Sequence, residues 1–272
     1  MEGGVAAVNL YDGHYADHTK EAQTKVRVDT YGASDDLGQS SWMSVAELKS
    51  MMGKLGVTSS SHVLEVGSGA GGTAVFLAQE YSCQVTGVDL NPNGIETGTK
   101  LAKLEGVDGS VSFKVIDASK PLPYAEGSFD AVFCNDTMCH IPGRQSVLED
   151  WRRVLKRGGQ MIFTDAMVVS GIVSSKEFAT RSLVGKYYYP CLGANEKTIE
   201  AAGLSLLETV DTTAEAVVLA RRWHDSRAKY KAELQEPEDN FNGQQDFLWS
   251  VYTCSLLDEG KLSREMYVAE KK

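Results

Sequence analysis

The sequence predicts an α/β fold: a mostly parallel β-sheet with helices on both faces. Three observations carry this expectation. Short β-rich runs alternate with helical segments between His62 and Asp165, and such alternation requires crossover βαβ connections between parallel strands. The first of these strands ends in a glycine-rich loop, Glu65-Val-Gly-Ser-Gly-Ala-Gly-Gly72, that opens the next helix. The chain has 272 residues and 42% apolar composition, enough for one large domain, or a core with an inserted lid, around a sizeable core.

The elements follow in order. Residues 1 to about 42 are polar and aromatic, with Tyr11, Tyr15 and Tyr31 spaced through them. Residues 46–55 place Ala46, Leu48, Met51, Met52 and Leu55 at helical spacing before a stop at Gly56. A strand over 62–66 leads through the glycine loop into a helix over 73–79. A second strand covers 84–89. Asn91 is a plausible N-cap, and Pro92 the first residue, of a helix over 91–105. Strands over 111–116 and 129–135, an amphipathic helix over 145–155 and a fifth strand over 159–165 continue the pattern.

Beyond Asp165 the alternation breaks. Residues 166–195 are hydroxyl-rich and aromatic and run into Tyr187-Tyr-Tyr-Pro190. A helix over 196–202, a strand over 204–210, a helical stretch over 214–234, a polar linker over 236–243, a helix over 247–257 and a last strand over 265–269 complete the reading. The expected organisation is an N-terminal lid segment (1–45), a ligand-binding core (46–165), and cap helices with C-terminal strands that complete the sheet (166–272).

Composition excludes several functions. The formal net charge is -10, so a nucleic acid would be repelled overall, and the richest basic cluster, Arg152 to Arg157, is interrupted by Val154 and Leu155 as one helix face would be. No stretch approaches the ~18 apolar residues that span a bilayer. Neither a nucleic acid nor a membrane is expected as a partner. The five cysteines, Cys83, Cys134, Cys139, Cys191 and Cys254, include no CxxC pair, and Cys134, Cys139 and His140 match no strong ligand spacing, so no metal site is expected. Their odd number, with no basic-then-apolar leader, points to a reduced, cytoplasmic protein.

The glycine loop fits two patterns at once. Gly67, Gly69 and Gly72 satisfy the dinucleotide pattern GxGxxG; Glu65, Gly67, Gly69 and Gly71 satisfy the methyltransferase pattern of an acid followed by alternate glycines. A tight strand-to-helix turn with no ligand would also use these glycines. Asp89, ending strand two, suits the ribose of either NAD or S-adenosylmethionine. Three features favour the second. Glu65 would neutralise a cationic amino group and repel a pyrophosphate. Asp117, ending strand three, can accept a hydrogen bond from an adenine amino group. No hydride-transfer set is evident, since the YxxxK spacing of Tyr267 and Lys271 falls in the terminal strand.

These segments, Val63 to Gly72, Gly87-Val-Asp-Leu90, Asp117-Ala118 and Arg153-Val-Leu-Lys-Arg-Gly-Gly159, resemble class I S-adenosylmethionine-dependent methyltransferases. Arg157 stands where the family usually has proline. The resemblance covers about residues 31–210 and lies with the small-molecule branch, which includes sarcosine/dimethylglycine, ubiquinone-type and natural-product sugar methyltransferases. It implies a Rossmann-like, seven-stranded sheet with the last strand antiparallel. It implies S-adenosyl-L-methionine as cofactor, bound by Gly67, Gly69, Asp89, Leu90, Asp117, Ala118 and Asn135. Leu37-Gly-Gln-Ser-Ser-Trp42 resembles the family's lid, which carries Gln39 over as a further contact. The Asn-Pro-Pro-Tyr type motif of amino-methylating nucleic-acid enzymes is missing; Asn135-Asp-Thr-Met-Cys-His140 stands there instead.

Methyl transfer needs nucleophile, methyl and sulfur in line, and a hydroxyl or acidic carbon gains from a base that an already neutral amine does not need. His140, just past strand four, is the expected general base, with Asp165 at the end of strand five to orient its imidazole. A His140 that caps the next turn or packs under the lid, with Asp165 a solvated strand end, would explain the two residues equally. A base favours O-methylation of a small molecule. N-methylation of an amine or amino acid and C-methylation of an activated ring are the alternatives, with an NAD-dependent dehydrogenase remote. Tyr187, Tyr188 and Tyr189 are candidates for the acceptor pocket, and Arg181 for pairing with a substrate carboxylate, against a surface arginine. A monomer or homodimer is expected.

Overall fold

The computed structural model describes residues 21–183, 185–251 and 260–272. Tyr11, Tyr15, Cys254 and the end of the helix expected over 247–257 lie outside them. Seven strands form one sheet: β1 (His62–Val66), β2 (Gln84–Asp89), β3 (Val111–Val115), β4 (Phe129–Cys134), β5 (Leu155–Val169), β6 (Ser205–Asp211) and β7 (Leu262–Glu270). Their order is β3-β2-β1-β4-β5-β7-β6. The first five pair in parallel, and β7 runs antiparallel to both β5 and β6. The expected mostly parallel sheet with an antiparallel last strand is the one the chain forms. Strand order reverses between β1 and β4, so a crevice opens beyond their carboxyl ends.

Among the described residues ten α-helices surround the sheet: α1 (Glu21–Tyr31), α2 (Val45–Lys54), α3 (Gly72–Tyr81), α4 (Pro92–Leu104), α5 (Arg144–Val154), α6 (Ser175–Arg181), α7 (Ala194–Ala201), α8 (Thr213–Lys229), α9 (Lys231–Leu234) and α10 (Glu238–Trp249). Period-2 strands supply both layers of core. Leu64, Val66 and Val132 face Trp151 of α5 and Ile199 of α7; Val63, Ala131 and Phe133 face Leu48 of α2 and Leu77 of α3. A third cluster joins α1, α8, α9 and α10 through Val26, Trp223, Leu234 and Phe247, and reaches Cys139 and Met167 at the carboxyl edge of the sheet. Helix starts are set locally. Ser44 accepts from the Glu47 amide, and Asn91 accepts from the amides of Asn93 and Gly94 with Pro92 following.

The differences from the sequence reading have physical causes. β5 starts at Leu155 rather than 159, because Gly158 adopts φ +75° and the strand bulges against β4 between Phe129 and Ala131. The Gly158 amide donates to the Lys271 carbonyl and the Lys271 amide to the Gly159 carbonyl, which ties this bulge to the end of β7. α1 escaped the periodicity because its buried face includes Gln23, Arg27 and Thr30. α6 lies inside the hydroxyl-rich, aromatic stretch of 166–195, for which the sequence reading names no element, yet Ser174 and Glu177 form a capping box, a signal legible in the sequence. α10 starts inside the expected linker, after Pro237. The helical stretch expected over 214–234 divides at Tyr230 into α8 and α9.

Candidate active site

A cavity of about 430 Å³ lies across the carboxyl ends of β1, β2, β3 and β4. The glycine loop forms its floor. The Gly67 and Ser68 amides both donate to the Val88 carbonyl, which folds the loop against β2. Gly67 has φ +80°, and a Cβ there would sit 2.2 Å from Thr137 Oγ1; a Cβ on Gly72 would sit 1.5 Å from the Leu37 carbonyl oxygen. Both positions therefore need glycine, the first for backbone and space, the second for the close approach of the 32–44 strap.

That strap crosses from α1 to α2 and closes one side of the cavity with Gly38, Gln39, Ser40 and Ser41. Two bonds tie its C-terminal end. The Tyr31 hydroxyl donates to the Ser41 carbonyl (2.6 Å), and the Trp42 amide donates to Asp136 Oδ2 (2.9 Å). Gln39 lies in the wall, but its amide is engaged within the strap: Nε2 donates to the Asp35 carbonyl and Oε1 accepts from the Leu37 amide.

Every expected cofactor contact, Glu65, Gly67, Gly69, Asp89, Leu90, Asp117, Ala118, Asn135 and Gln39, lines this one cavity. Asp89 accepts from the Gly69 amide on Oδ2 and from the Asn91 amide on Oδ1, both at 2.8 Å, which fixes its carboxylate over the loop. Burial pushes its pKa up. Asp117 Oδ1 accepts from the Ser119 amide and hydroxyl. Asn135 Oδ1 accepts from Arg264 Nη2 (2.9 Å) and Thr164 Oγ1 (3.0 Å). Glu65 is 4% exposed, and its Oε2 has no hydrogen-bond partner. Burial first, then the nearby Asp89, holds its carboxyl well above the usual range. A cation in the cavity would favour the ionised form of this acid and a pyrophosphate would not. The donor set thus fits S-adenosylmethionine better than a dinucleotide.

His140 closes a short 3₁₀ turn (Met138–His140) after β4 and lines the same cavity. Its Nδ1 lies 2.9 Å from the Lys186 carbonyl oxygen. A carbonyl only accepts, so Nδ1 carries the proton and Nε2 is the basic nitrogen. Burial lowers the imidazole pKa, so the ring is neutral at pH 7. Asp165 does not orient it, contrary to expectation. That carboxylate is fully buried outside the cavity lining. It accepts from Arg144 Nη1 (2.6 Å), Asn195 Nδ2 (3.3 Å) and the Met167 amide (3.0 Å). A carboxylate buried this deeply requires a counter-charge, and the first turn of α5 supplies one.

Sequence reasoning missed Asp136 and Arg264. Arg264 of β7 is fully buried. It donates to Asp136 Oδ1 through Nε (2.8 Å), to Glu47 Oε1 (2.6 Å) and Thr212 Oγ1 (2.7 Å) through Nη1, and to Asn135 through Nη2. Asp136, which lines the cavity, adopts φ +49°, a left-handed conformation that is uncommon outside glycine and that aspartate tolerates better than most residues. No local spacing marks this network, since Arg264 lies 128 positions from Asp136.

Residues 64–163 match the family model described as methyltransferase domain. Methyltransferase GfsG of Streptomyces halstedii is 35% identical over 170 residues, 59% of this chain and 58% of that protein. A sarcosine/dimethylglycine N-methyltransferase of Halorhodospira halochloris is 37% identical over 134 residues, 49% and 47% of the two chains. The chain thus spans about half the length of these curated relatives. In fold it is similar to phosphoethanolamine N-methyltransferase 2 of Haemonchus contortus in complex with S-adenosyl-L-methionine, with TM-score 0.77, 22% identity, and coverage of 95% of this chain and 59% of that one. Residues 64–163 thus carry a methyltransferase domain. Among the described residues no helix is long and apolar enough to cross a membrane.

Proposed function

We propose that this chain transfers a methyl group from S-adenosylmethionine to a small molecule, preferentially to a hydroxyl, with His140 as the general base. The observation that carries the reading is the buried Glu65 carboxylate, one oxygen unpartnered, at the head of a glycine loop whose cavity also holds Asp89, Asp117 and His140. When bound, the cofactor supplies a methyl carbon activated by its sulfonium. The chain does the rest. Glu65 balances the amino group, Asp89 holds the ribose hydroxyls, and Asp117 and Ala118 meet the adenine. Gly67 and Gly69 admit the ligand to the backbone, and Leu90, Asn135 and Gln39 close around it. His140 Nε2 takes the acceptor proton. The 1–45 segment serves as lid, 46–165 as cofactor core, and 166–272 as cap and completion of the sheet.

Calorimetry with S-adenosylmethionine, S-adenosylhomocysteine and NAD tests the donor: binding of the first two and not of NAD is expected. Release of S-adenosylhomocysteine in a metabolite mixture tests turnover. His140→Ala should keep cofactor affinity and lose about 10²- to 10⁴-fold in kcat; an unchanged kcat on the true substrate sinks the base.

A second reading, N-methylation, is favoured by the names of the relatives, which include enzymes of sarcosine and dimethylglycine and of phosphoethanolamine. The pH profile separates the two. With a hydroxyl acceptor, kcat/KM rises through the lowered His140 pKa and the rise vanishes in His140→Gln. With an amine acceptor, the rise follows the amine and survives the substitution.

A further inference from the structure

With Asp165 engaged elsewhere, His140 is held by residues 186–190. Two hydrogen bonds join its turn to that segment. The Tyr188 amide donates to the Cys139 carbonyl (2.8 Å), and His140 Nδ1 donates to the Lys186 carbonyl (2.9 Å). The Lys186 carbonyl belongs to the planar peptide that joins Lys186 to Tyr187. Residues 186–190 lie in no helix or strand, so no regular ladder sets the direction of this carbonyl. Side-chain packing has to do so.

Tyr187 provides that packing. Its ring lies 4.5 Å from the His140 ring at an interplanar angle of 41°. It also stacks on Phe247 of α10, with ring centres 6.2 Å apart and planes 9° apart. Phe247 is buried, and the guanidinium carbon of the buried Arg181 lies 5.0 Å from its ring centre. Trp42, near the C-terminal end of the strap, packs 6.2 Å from the same ring. Four rings therefore run from strap to base: Trp42, Phe247, Tyr187 and His140. Of the four, His140 alone lines the cavity.

Packed aromatic rings prefer particular offsets, so each limits how its neighbour can turn. The bond made by one imidazole nitrogen decides where the ring proton sits and which nitrogen is left basic. A movement of Tyr187 carries the Lys186 carbonyl with it and frees Nδ1. We propose that Tyr187 is the positioning residue for His140, holding the Lys186 carbonyl on Nδ1, and that its stack on Phe247 and Trp42 links the base to the strap that walls the cofactor cavity. The bearing on catalysis rests on the reading of His140 as general base; the control of the tautomer does not.

Histidine-selective isotope labelling and NMR read the His140 tautomer and pKa in the full chain, with no acceptor present. Its signal is the one lost in His140→Gln. In the parent, Nδ1 should carry the proton. Burial lowers this imidazole pKa, outweighing the raising effects of the Lys186 carbonyl, Asp165 and Asp136. Tyr187→Leu should mix the two tautomers and return the pKa towards the ordinary 6.5, because part of the ring's cover is lost. Tyr187→Phe should keep both at the parent values. Turnover should follow: kcat falls about tenfold or more in Tyr187→Leu and recovers to within about threefold in Tyr187→Phe. The Kd for S-adenosylmethionine should stay within about threefold in both. Trp42→Leu, two rings out, should move the His140 signal the same way by less, and no movement would remove the link to the strap.

An unchanged tautomer and pKa in Tyr187→Leu overturns the proposal. So does a Tyr187→Phe that loses as much as Tyr187→Leu. If Tyr187→Leu does not fold, Phe247→Leu removes the stacking partner instead; the same signal should shift the same way, and no shift overturns the proposal. Undiminished kcat in His140→Gln would sink the base reading and leave the tautomer result standing.

Discussion

Arg264 and Arg181 are both fully buried, yet the fold treats them in opposite ways. Arg264 spends its guanidinium on Glu47, Asp136, Asn135 and Thr212, and so ties α2, the end of β4 and the start of α8 to β7. Arg181 is given one backbone carbonyl, a thioether and an aromatic face, and its remaining donors are open. A buried charge that is fully paired holds structure, and removing it leaves its partners stranded. A buried charge left unpaired costs stability. Glu65 also keeps one oxygen unpartnered, but it lines the cavity and Arg181 does not.

Substitutions can break or sharpen this contrast. Arg264→Met should destabilise most, by about 3–5 kcal/mol, because Glu47 and Asp136 lose their counter-charge while buried. Urea unfolding checks this, and a loss below about 1 kcal/mol would end the contrast. Cofactor affinity should fall with it, since Asn135 and Asp136 lose their restraint.

Asp165→Ala should cost less, about 2–4 kcal/mol, by stranding Arg144, which keeps Asn195 as a partner. In the folded fraction, the kinetic pKa assigned to His140 should stay in place. A shift of that pKa would restore Asp165 to the orienting role that the sequence suggested.

Glu65→Gln should act through pH. The folded pKa lies above the ordinary 4.5, so the contribution of this group to stability is full below about 4.5 and is lost as pH rises through the folded value. The glutamine variant should flatten that decline in the apoprotein. A cationic cofactor favours the ionised form, so binding should release up to about one proton in the parent chain and less in the variant. Calorimetry in buffers of different ionisation heat reads this directly.

Arg181→Met should change least. Without ligand its unfolding free energy should stay within about 1 kcal/mol of the parent or rise, since an unpaired buried charge is exchanged for an apolar side chain. A loss of 3 kcal/mol or more would place Arg181 with Arg264 as a structural residue.

Legibility divides along the same line. The first five strands, the glycine loop and the strand-end positions of Glu65, Asp89, Asp117 and Asn135 could be read because each is a local pattern: alternation, a glycine spacing, an acid at the end of an apolar run. The strand start at Leu155 was misread because a bulge absorbs the glycines that seemed to mark a turn. α1 was missed, and α10 starts earlier than the expected helix, because their burial depends on packing against α8 rather than on a clean apolar stripe.

The partner of a charge is a different kind of fact. The pairing of Asp165 with Arg144 rather than His140, and of Arg264 with Asp136, joins residues distant in the chain through a geometry that exists only after the sheet has formed.

By itself, then, the sequence determined the parallel α/β plan, the loop and the identity of the acids that face it. Backbone turns and strand periodicity are set by neighbours in the chain, and these features follow from them. The tertiary structure alone decided which buried charges are satisfied. Burial and electrostatic pairing are properties of the assembled interior: neither arginine's neighbours in the chain announce its partners, and only packing closes the Arg264 guanidinium with carboxylates and leaves Nε and Nη1 of Arg181 unpartnered.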